Sequence, residues 1–162
     1  DPNSFMCTDR DYGDFILELE FKVDPGMNSG VQIRSEYTDK ERTLKRNGKQ
    51  VTAPGNVVFG YQVEIDPSDR AWTGGIYDEK RRGWLNDLKG NNEARKAFKQ
   101  GEWNQFRIEC QGYSIKTWIN GVPAADLKDG MTPKGFIALQ VHATKKEPPM
   151  QVRWRNIKIK EL

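Results

Sequence analysis

Two carboxylates, Glu64 and Asp66, stand two residues apart in the run Gly60–Asp66, Gly-Tyr-Gln-Val-Glu-Ile-Asp. Tyr61, Val63 and Ile65 alternate there with Gln62, Glu64 and Asp66, the period of a half-buried strand. Such a strand puts Glu64 and Asp66 on one face, about 7 Å apart. Neighbouring carboxylates repel, so they need a cation, an arginine, water or a shared proton. Two other strand-like stretches carry polar faces: Gln32 with Arg34, and Gln140 with His142, the one histidine of the chain. If the three stretches are neighbours with faces aligned, one surface gathers two carboxylates, a guanidinium and an imidazole. The same residues could instead form a plain solvated face. Glu64, Asp66 and His142 would also suit a divalent metal, as two carboxylates and one imidazole with open positions.

The elements that must position these groups are mostly strands. Phe15, Leu17, Leu19, Phe21 and Val23 alternate with Ile16, Glu18, Glu20 and Lys22, and Asp24-Pro25-Gly26 ends that strand. Further strands are expected at 31–34, 104–111, 114–120, 122–127, 135–143 and 152–159. A short one is expected around Thr73–Tyr77, and Phe5 and Cys7 suggest an incoming strand. Asn120-Gly121 is the strongest hairpin signal. The apolar parity of 152–159 shifts between Trp154 and Ile157, which predicts a bulge near Asn156. Residues 35–56 read as a long polar loop, a length associated with function or mobility. One helix is expected, from Asn92 as cap to Gln100, with Gly101 ending it. Eight to ten short strands with Gly and Pro turns argue for an all-β antiparallel sandwich or jelly roll.

Composition narrows the function class. The 162 residues suit one domain spanning 1–162, and a net charge of +3 with both signs interspersed gives no nucleic-acid signature. Lys45-Arg46 and Lys80-Arg81-Arg82 read as solvated surface. No apolar run is long enough for a membrane span. Two cysteines and one histidine cannot make a four-ligand Cys/His zinc site. Cys7 and Cys110 read as small buried residues rather than a disulfide. There is no Gly-x-Ser-x-Gly elbow, phosphate loop or dinucleotide fingerprint.

An ordered set of motifs adds to this reading: Tyr12-Gly13-Asp14-Phe15, Asn28-Ser29-Gly30-Val31, Gly60-Tyr61-Gln62-Val63-Glu64-Ile65, Thr73-Gly74-Gly75-Ile76-Tyr77, Gly101-Glu102-Trp103-Asn104, Trp118-Ile119-Asn120-Gly121, Gly135-Phe136-Ile137-Ala138-Leu139-Gln140 and Arg155-Asn156-Ile157. Over nearly the whole chain this set resembles the 3-keto-disaccharide hydrolase family. The resemblance implies a concanavalin A-like lectin/glucanase sandwich, an exported bacterial protein, and a glycoside substrate oxidised at C3 of one sugar. An earlier segment usual in that family is absent, so the expectation is a sheet lacking an N-terminal edge strand.

A C3 ketone acidifies the C2 proton, so a base could remove it and an acid could help expel the group at C1. The expected base is Glu64, with Asp66 beside it. His142 is the alternative base or the acid, and Arg34 would hold the oxygen charge that develops at C3. Direct hydrolysis by the carboxylate pair ranks lower, since a same-strand pair sits on one side of the bond. Gln32, Gln140, Tyr61, Tyr77, Trp118 and Trp72 are the expected sugar contacts, with Trp84 a further loop tryptophan. Trp103 and Trp154 are expected in the core. The rival expectation is a carbohydrate-binding module without catalysis.

Overall fold

A computed structural model describes residues 3–46, 48–145 and 149–162. Two antiparallel sheets pack face to face. The first has six strands in the order β1 (Ser4–Cys7), β12 (Phe136–Val141), β3 (Ser29–Thr38), β6 (Val57–Ile65), β7 (Ile76–Glu79) and β8 (Gly83–Asn86). The second has five: β11 (Val122–Lys128), β10 (Ser114–Ile119), β9 (Asn104–Gln111), β2 (Phe15–Val23) and β13 (Val152–Glu161). This is the expected all-β sandwich. Phe15, Leu17, Leu19, Phe21 and Val23 of β2 are buried against Val31, Ile33, Tyr61, Val63 and Ile65 of the other sheet. Burial of such side chains on facing sheets is the main force closing the sandwich. The bulge in β13 lies between Arg155 and Lys158, with Asn156 at φ 53°.

Several elements differ from the sequence reading. Residues 35–56 are not a loop: β3 runs on to Thr38, and β4 (Arg42–Arg46) pairs with β5 (Lys49–Ala53) as a hairpin. Only Leu44, Val51 and Ala53 are covered, on one face of the hairpin, which leaves a short alternation in a mostly polar, exposed stretch. Asn47, between the two strands in sequence, lies outside the described residues. The helix α1 is Asn92–Ala97, and its cap is Asn91, whose side chain accepts from the Ala94 N–H. Cys110 is buried but Cys7 is exposed; both are free. Trp154 packs on Phe21, whereas Trp103 is half-buried under the Arg155 guanidinium, 3.9 Å from its ring centre. Nor are Arg81 and Arg82 solvated. Both bind the buried Asp78, and Arg82 also binds Asp129. Among the described residues no helix is long and apolar enough to cross a membrane.

Arg34 departs furthest from expectation. A bulge between Ile33 and Glu36 breaks the parity of β3, and Arg34 takes a left-handed φ of 46°. Its side chain is fully buried and reaches across the sandwich. Nε donates to the Gly13 carbonyl at 2.8 Å, Nη1 to the Gly112 carbonyl at 2.8 Å, and Nη2 to Asp14 Oδ1 at 2.9 Å. The residue ties one end of the six-stranded sheet to two turns of the other. Left-handed backbone at a non-glycine residue costs about 1 kcal/mol, offset here by charge-assisted hydrogen bonds. Arg34→Ala should lower the unfolding free energy by about 3 kcal/mol or more in urea titration, because two carbonyls and a carboxylate lose their donor. A loss within about 0.5 kcal/mol, the range of plain surface substitutions, would contradict the strut.

Candidate functional site

The alternation of β6 decides what faces the site. Tyr61, Val63 and Ile65 turn into the core, so Gln62 and Glu64 turn outward. Register then aligns neighbours on that outer face. Glu64 lies opposite Gly30, which lies opposite Gln140; Gln62 lies between Gln32 and Tyr77. Tyr77 in turn pairs with Trp84. Gly30 is needed here, since a Cβ at that position would stand 2.6 Å from the Gln62 side chain. The result is a cleft of about 350 Å³ on the outer face of the six-stranded sheet. Glu64, Gln62, Gln140, His142 and Tyr77 line it, together with Asn28, Arg70, Glu79, Lys80 and Trp84.

Glu64 is 5% exposed and is held at both oxygens. Asn28 Nδ2 donates to Oε1 at 2.6 Å and Gln62 Nε2 to Oε2 at 2.9 Å. Gln62 is itself fixed, accepting from Gln32 Nε2 at 2.7 Å, and Gln32 accepts from the Ser35 hydroxyl at 2.7 Å. Burial pushes the Glu64 carboxyl up to about 6; the Asn28 and Gln62 amides pull it down, and the charges of Asp66 and Glu79 raise it. A carboxylate poised near 6 is ionised at neutral pH yet basic enough to accept a proton.

The other ionisable groups divide into cleft and scaffold. His142 is half-buried, and its Nδ1 lies 2.8 Å from the Ala143 carbonyl. A carbonyl can only accept, so Nδ1 carries the hydrogen and Nε2 is the nitrogen left for chemistry. Burial, then the charges of Glu79 and Glu64, raise the Tyr77 hydroxyl above its ordinary value. Lys80 Nζ stands 3.6 Å from Glu79. Gln140 is 1% exposed, and its Oε1 has no hydrogen-bond partner among the described residues. A buried acceptor in a cleft wall is costly unless a ligand supplies a donor.

Of the expected site residues, Glu64, His142, Gln140 and Tyr77 meet in this cleft. Gln32 stands behind it, holding Gln62. Arg34 does not reach it, for the reason given above. Asp66 lies past the end of β6 and organises a loop: it accepts from Ser68 Oγ at 2.6 Å, Arg70 Nε at 2.7 Å and the Trp72 N–H at 3.3 Å. Burial opposes its ionisation, but the Ser68 and Arg70 hydrogen bonds outweigh this and hold its carboxyl below the usual range. Tyr61 faces inward and donates to Asp129 at 2.5 Å. Trp118 belongs to the opposite sheet, where it meets the Arg107 guanidinium. Trp72 supports the site from behind, edge-on to Trp84 at 4.8 Å between ring centres.

Glu64, Asp66 and His142 do not form a metal-ligand cluster, and no group of three His, Cys, Asp or Glu does so among the described residues. The donor set explains this. Asp66 is committed to its own loop, and amide N–H groups already occupy both Glu64 oxygens.

Sequence reasoning missed Asn28, Arg70, Glu79 and Lys80. Asn28 stood out only as the first residue of the Asn28-Ser29-Gly30-Val31 motif, and Arg70 sits in a loop without periodicity. Its guanidinium lies 4.8 Å from the Trp72 ring centre and 5.1 Å from that of Trp84. Asp66 and these two rings therefore aim a cation along the cleft wall. Its tie to an acidic residue four positions earlier was the one available signal.

Fold and cleft together define an antiparallel sandwich with a polar site on the outer face of one sheet. The chain belongs to the family of 3-keto-alpha-glucoside-1,2-lyase-like domains, whose pattern matches residues 1–160. No curated protein matches it. The sandwich recurs in solved structures. The carbohydrate-binding module CBM66 from Bacillus subtilis is 12% identical, with a TM-score of 0.64, covering 99% of this chain and 83% of that one. A candidate glycosyl hydrolase from Parabacteroides distasonis ATCC 8503 is 24% identical, with a TM-score of 0.62, covering 99% and 84%. Chicken galectin 2 is 6% identical, with a TM-score of 0.56, covering 96% and 97%. At these identities the likeness concerns the fold; family membership is what supports a carbohydrate-related function.

The Glu64 carboxyl ionises less readily folded than unfolded. It therefore favours folding while protonated, below about 4.5, and that contribution is lost as the pH rises through about 6. The rise from 4.5 to about 6 corresponds to about 2 kcal/mol. Glu64→Gln has no such dependence, and a flipped Asn28 amide can meet the new N–H₂. The stability of Glu64→Gln relative to the parent should increase by about 2 kcal/mol between about pH 4 and about pH 7.5. A constant difference across that range, in denaturant titrations, would contradict the burial argument.

Proposed function

We propose that this domain cleaves 3-keto-glycosides at C1 by elimination next to the ketone. The observation that carries this reading is the Glu64 carboxylate, dry, doubly hydrogen-bonded and poised near 6 in a cleft it shares with His142. Glu64 takes the proton from C2, and the C–H electron pair makes the enolate with its charge on O3. Arg70, aimed along the wall by Asp66, is the cation for that oxygen, the role first expected of Arg34. The enolate then collapses to a C1=C2 double bond, and the C1–O bond breaks. His142, protonated at Nε2, gives its proton to the departing oxygen. Water can add back across C1=C2: His142 takes a proton from water, the hydroxyl bonds to C1, and Glu64 returns its proton to C2. The net change is then hydrolysis; without the addition it is a lyase reaction. Gln140 and the Trp84 ring, which both line the cleft, are the groups proposed to meet a sugar hydroxyl and to cover a sugar face.

A binding module is the second reading. The occupied oxygens of Glu64 and the aromatic wall of Tyr77 and Trp84, 5.3 Å apart between ring centres, favour it.

The two readings separate on incubation with a 3-keto-glucoside. Catalysis should give turnover whose kcat/KM falls as the pH drops through about 6, because the base must be ionised. Glu64→Gln should lose about 10³-fold in kcat, within the usual range for a general base, while staying folded. His142→Ala should cost poor leaving groups far more than activated aryl ones. Ligand binding by folded protein, with no turnover by the parent at any pH and unchanged by added divalent metal or chelator, would establish the binding module.

A further inference from the structure

A second and larger hollow, about 690 Å³, adjoins the cleft and shares Asn3, Glu79, Lys80 and His142 with it. Its character is different. Phe5, Tyr37, Val57, Val58 and Ala143 form its far wall. The change can be followed along one strand. Outward positions of β6 run from Glu64 and Gln62 through Gly60 to Val58, so the same sheet face is polar at one end and apolar at the other. Val58 pairs with Tyr37, a residue 56% exposed, and Phe5 of the edge strand β1 pairs with Gln140. Side chains this apolar, gathered around a hollow continuous with a polar cleft, mark a place for an apolar group.

We propose that this hollow receives the aglycone, and that the substrates are 3-keto-glycosides carrying an apolar, aromatic-sized group rather than a second sugar. The inference rests on the function proposed above, because it takes its direction from His142. That residue lines both hollows. If it protonates the departing oxygen, the sugar lies on the Glu64 side and the group leaving C1 lies on the Tyr37 side. A second sugar would set hydroxyls against Phe5, Val57, Val58 and Ala143, whose side chains make no hydrogen bond, although Asn3, Asn56, Glu79, Lys80 and His142 also line the hollow and Asn56 already meets the Tyr37 hydroxyl. An aromatic ring would instead exchange water for Tyr37 and the two valines.

The test compares methyl, 2-phenylethyl and glucosyl 3-keto-glucosides. The methyl and phenylethyl groups both leave as primary alkoxides, so differences reflect contacts rather than leaving-group acidity. Affinities are measured by calorimetry on Glu64→Gln, whose turnover is about 10³-fold slower than the parent's, with product formation checked to be negligible, so the result does not depend on catalysis. The phenylethyl glycoside should bind about tenfold tighter than the methyl one, as burial of part of a ring allows. Tyr37→Ser, at an exposed position that tolerates it, and Val58→Thr, nearly the same shape, should each bring the two affinities to within about threefold. Equal affinities for methyl and phenylethyl in Glu64→Gln, tighter binding of the glucosyl compound, or a preference untouched by both substitutions would overturn the assignment. Absence of turnover by the parent protein with all three compounds would instead sink the proposed reaction, and the affinities would still report on the hollow.

Discussion

A carboxylate removed from water must be held by something, and the site follows from how Glu64 is held. Burial alone would protonate it at neutral pH or drive the chain open. Asn28 and Gln62 supply one N–H to each oxygen, enough to keep the charge tolerable and too little to make it inert. Gln62 can do this only because Gln32 and Ser35 fix its other end and Gly30 leaves room beneath it. Gly30, Gln32 and Ser35 lie on β3 and Gln62 on β6, the central pair of the six-stranded sheet, and Asn28 stands just before β3. The inner face of the same pair carries Val31, Ile33, Tyr61, Val63 and Ile65, so the core that closes the sandwich also makes the cradle rigid.

The rest of the fold confines charge to where it is useful. Asp78, Arg81, Arg82 and Asp129 satisfy one another at low exposure, away from the cleft. Arg34 is spent on two carbonyls and Asp14. Asp66 is neutralised by Arg70 and, in the same contact, orients it. What lines the cleft is a small set: the Glu64 carboxyl near 6, Glu79 with Lys80, one imidazole nitrogen, the Tyr77 hydroxyl, and one guanidinium against two indoles. This set is compatible with moving a proton at a carbon and weakly suited to gripping a divalent cation.

Much of the fold was legible because period two survives in most strands. β2 reads cleanly, with every second residue buried, and β6 shows which side of Glu64 faces out. The bulge at Asn156 was visible as a slip in apolar parity, while the one at Arg34 was not, because Val31 and Ile33 alternate normally up to it. That single left-handed residue is why the guanidinium was assigned to the wrong end of the sheet. Asp66 failed differently: period two continues in the letters after the strand has ended. Trp118 had the right exposure on the wrong sheet, and sequence carries no direct mark of which sheet a strand joins. Asn28 and Arg70 act from loops, where position depends on partners distant in the chain rather than on periodicity. The β4–β5 hairpin was hidden because its covered face carries only Leu44, Val51 and Ala53 amid exposed polar residues.

The most direct measurement is the titration of the Glu64 carboxyl itself. Carbon-13 labelling of the glutamate carboxyls, with the Glu64 signal assigned by its absence in Glu64→Gln, reads the ionisation in the folded protein. A midpoint near 6 is expected, since burial outweighs the two amide donors. A midpoint at or below the ordinary glutamate value of about 4.3 would mean that water or a cation reaches this oxygen pair, and the idea of a dry, poised base would be wrong.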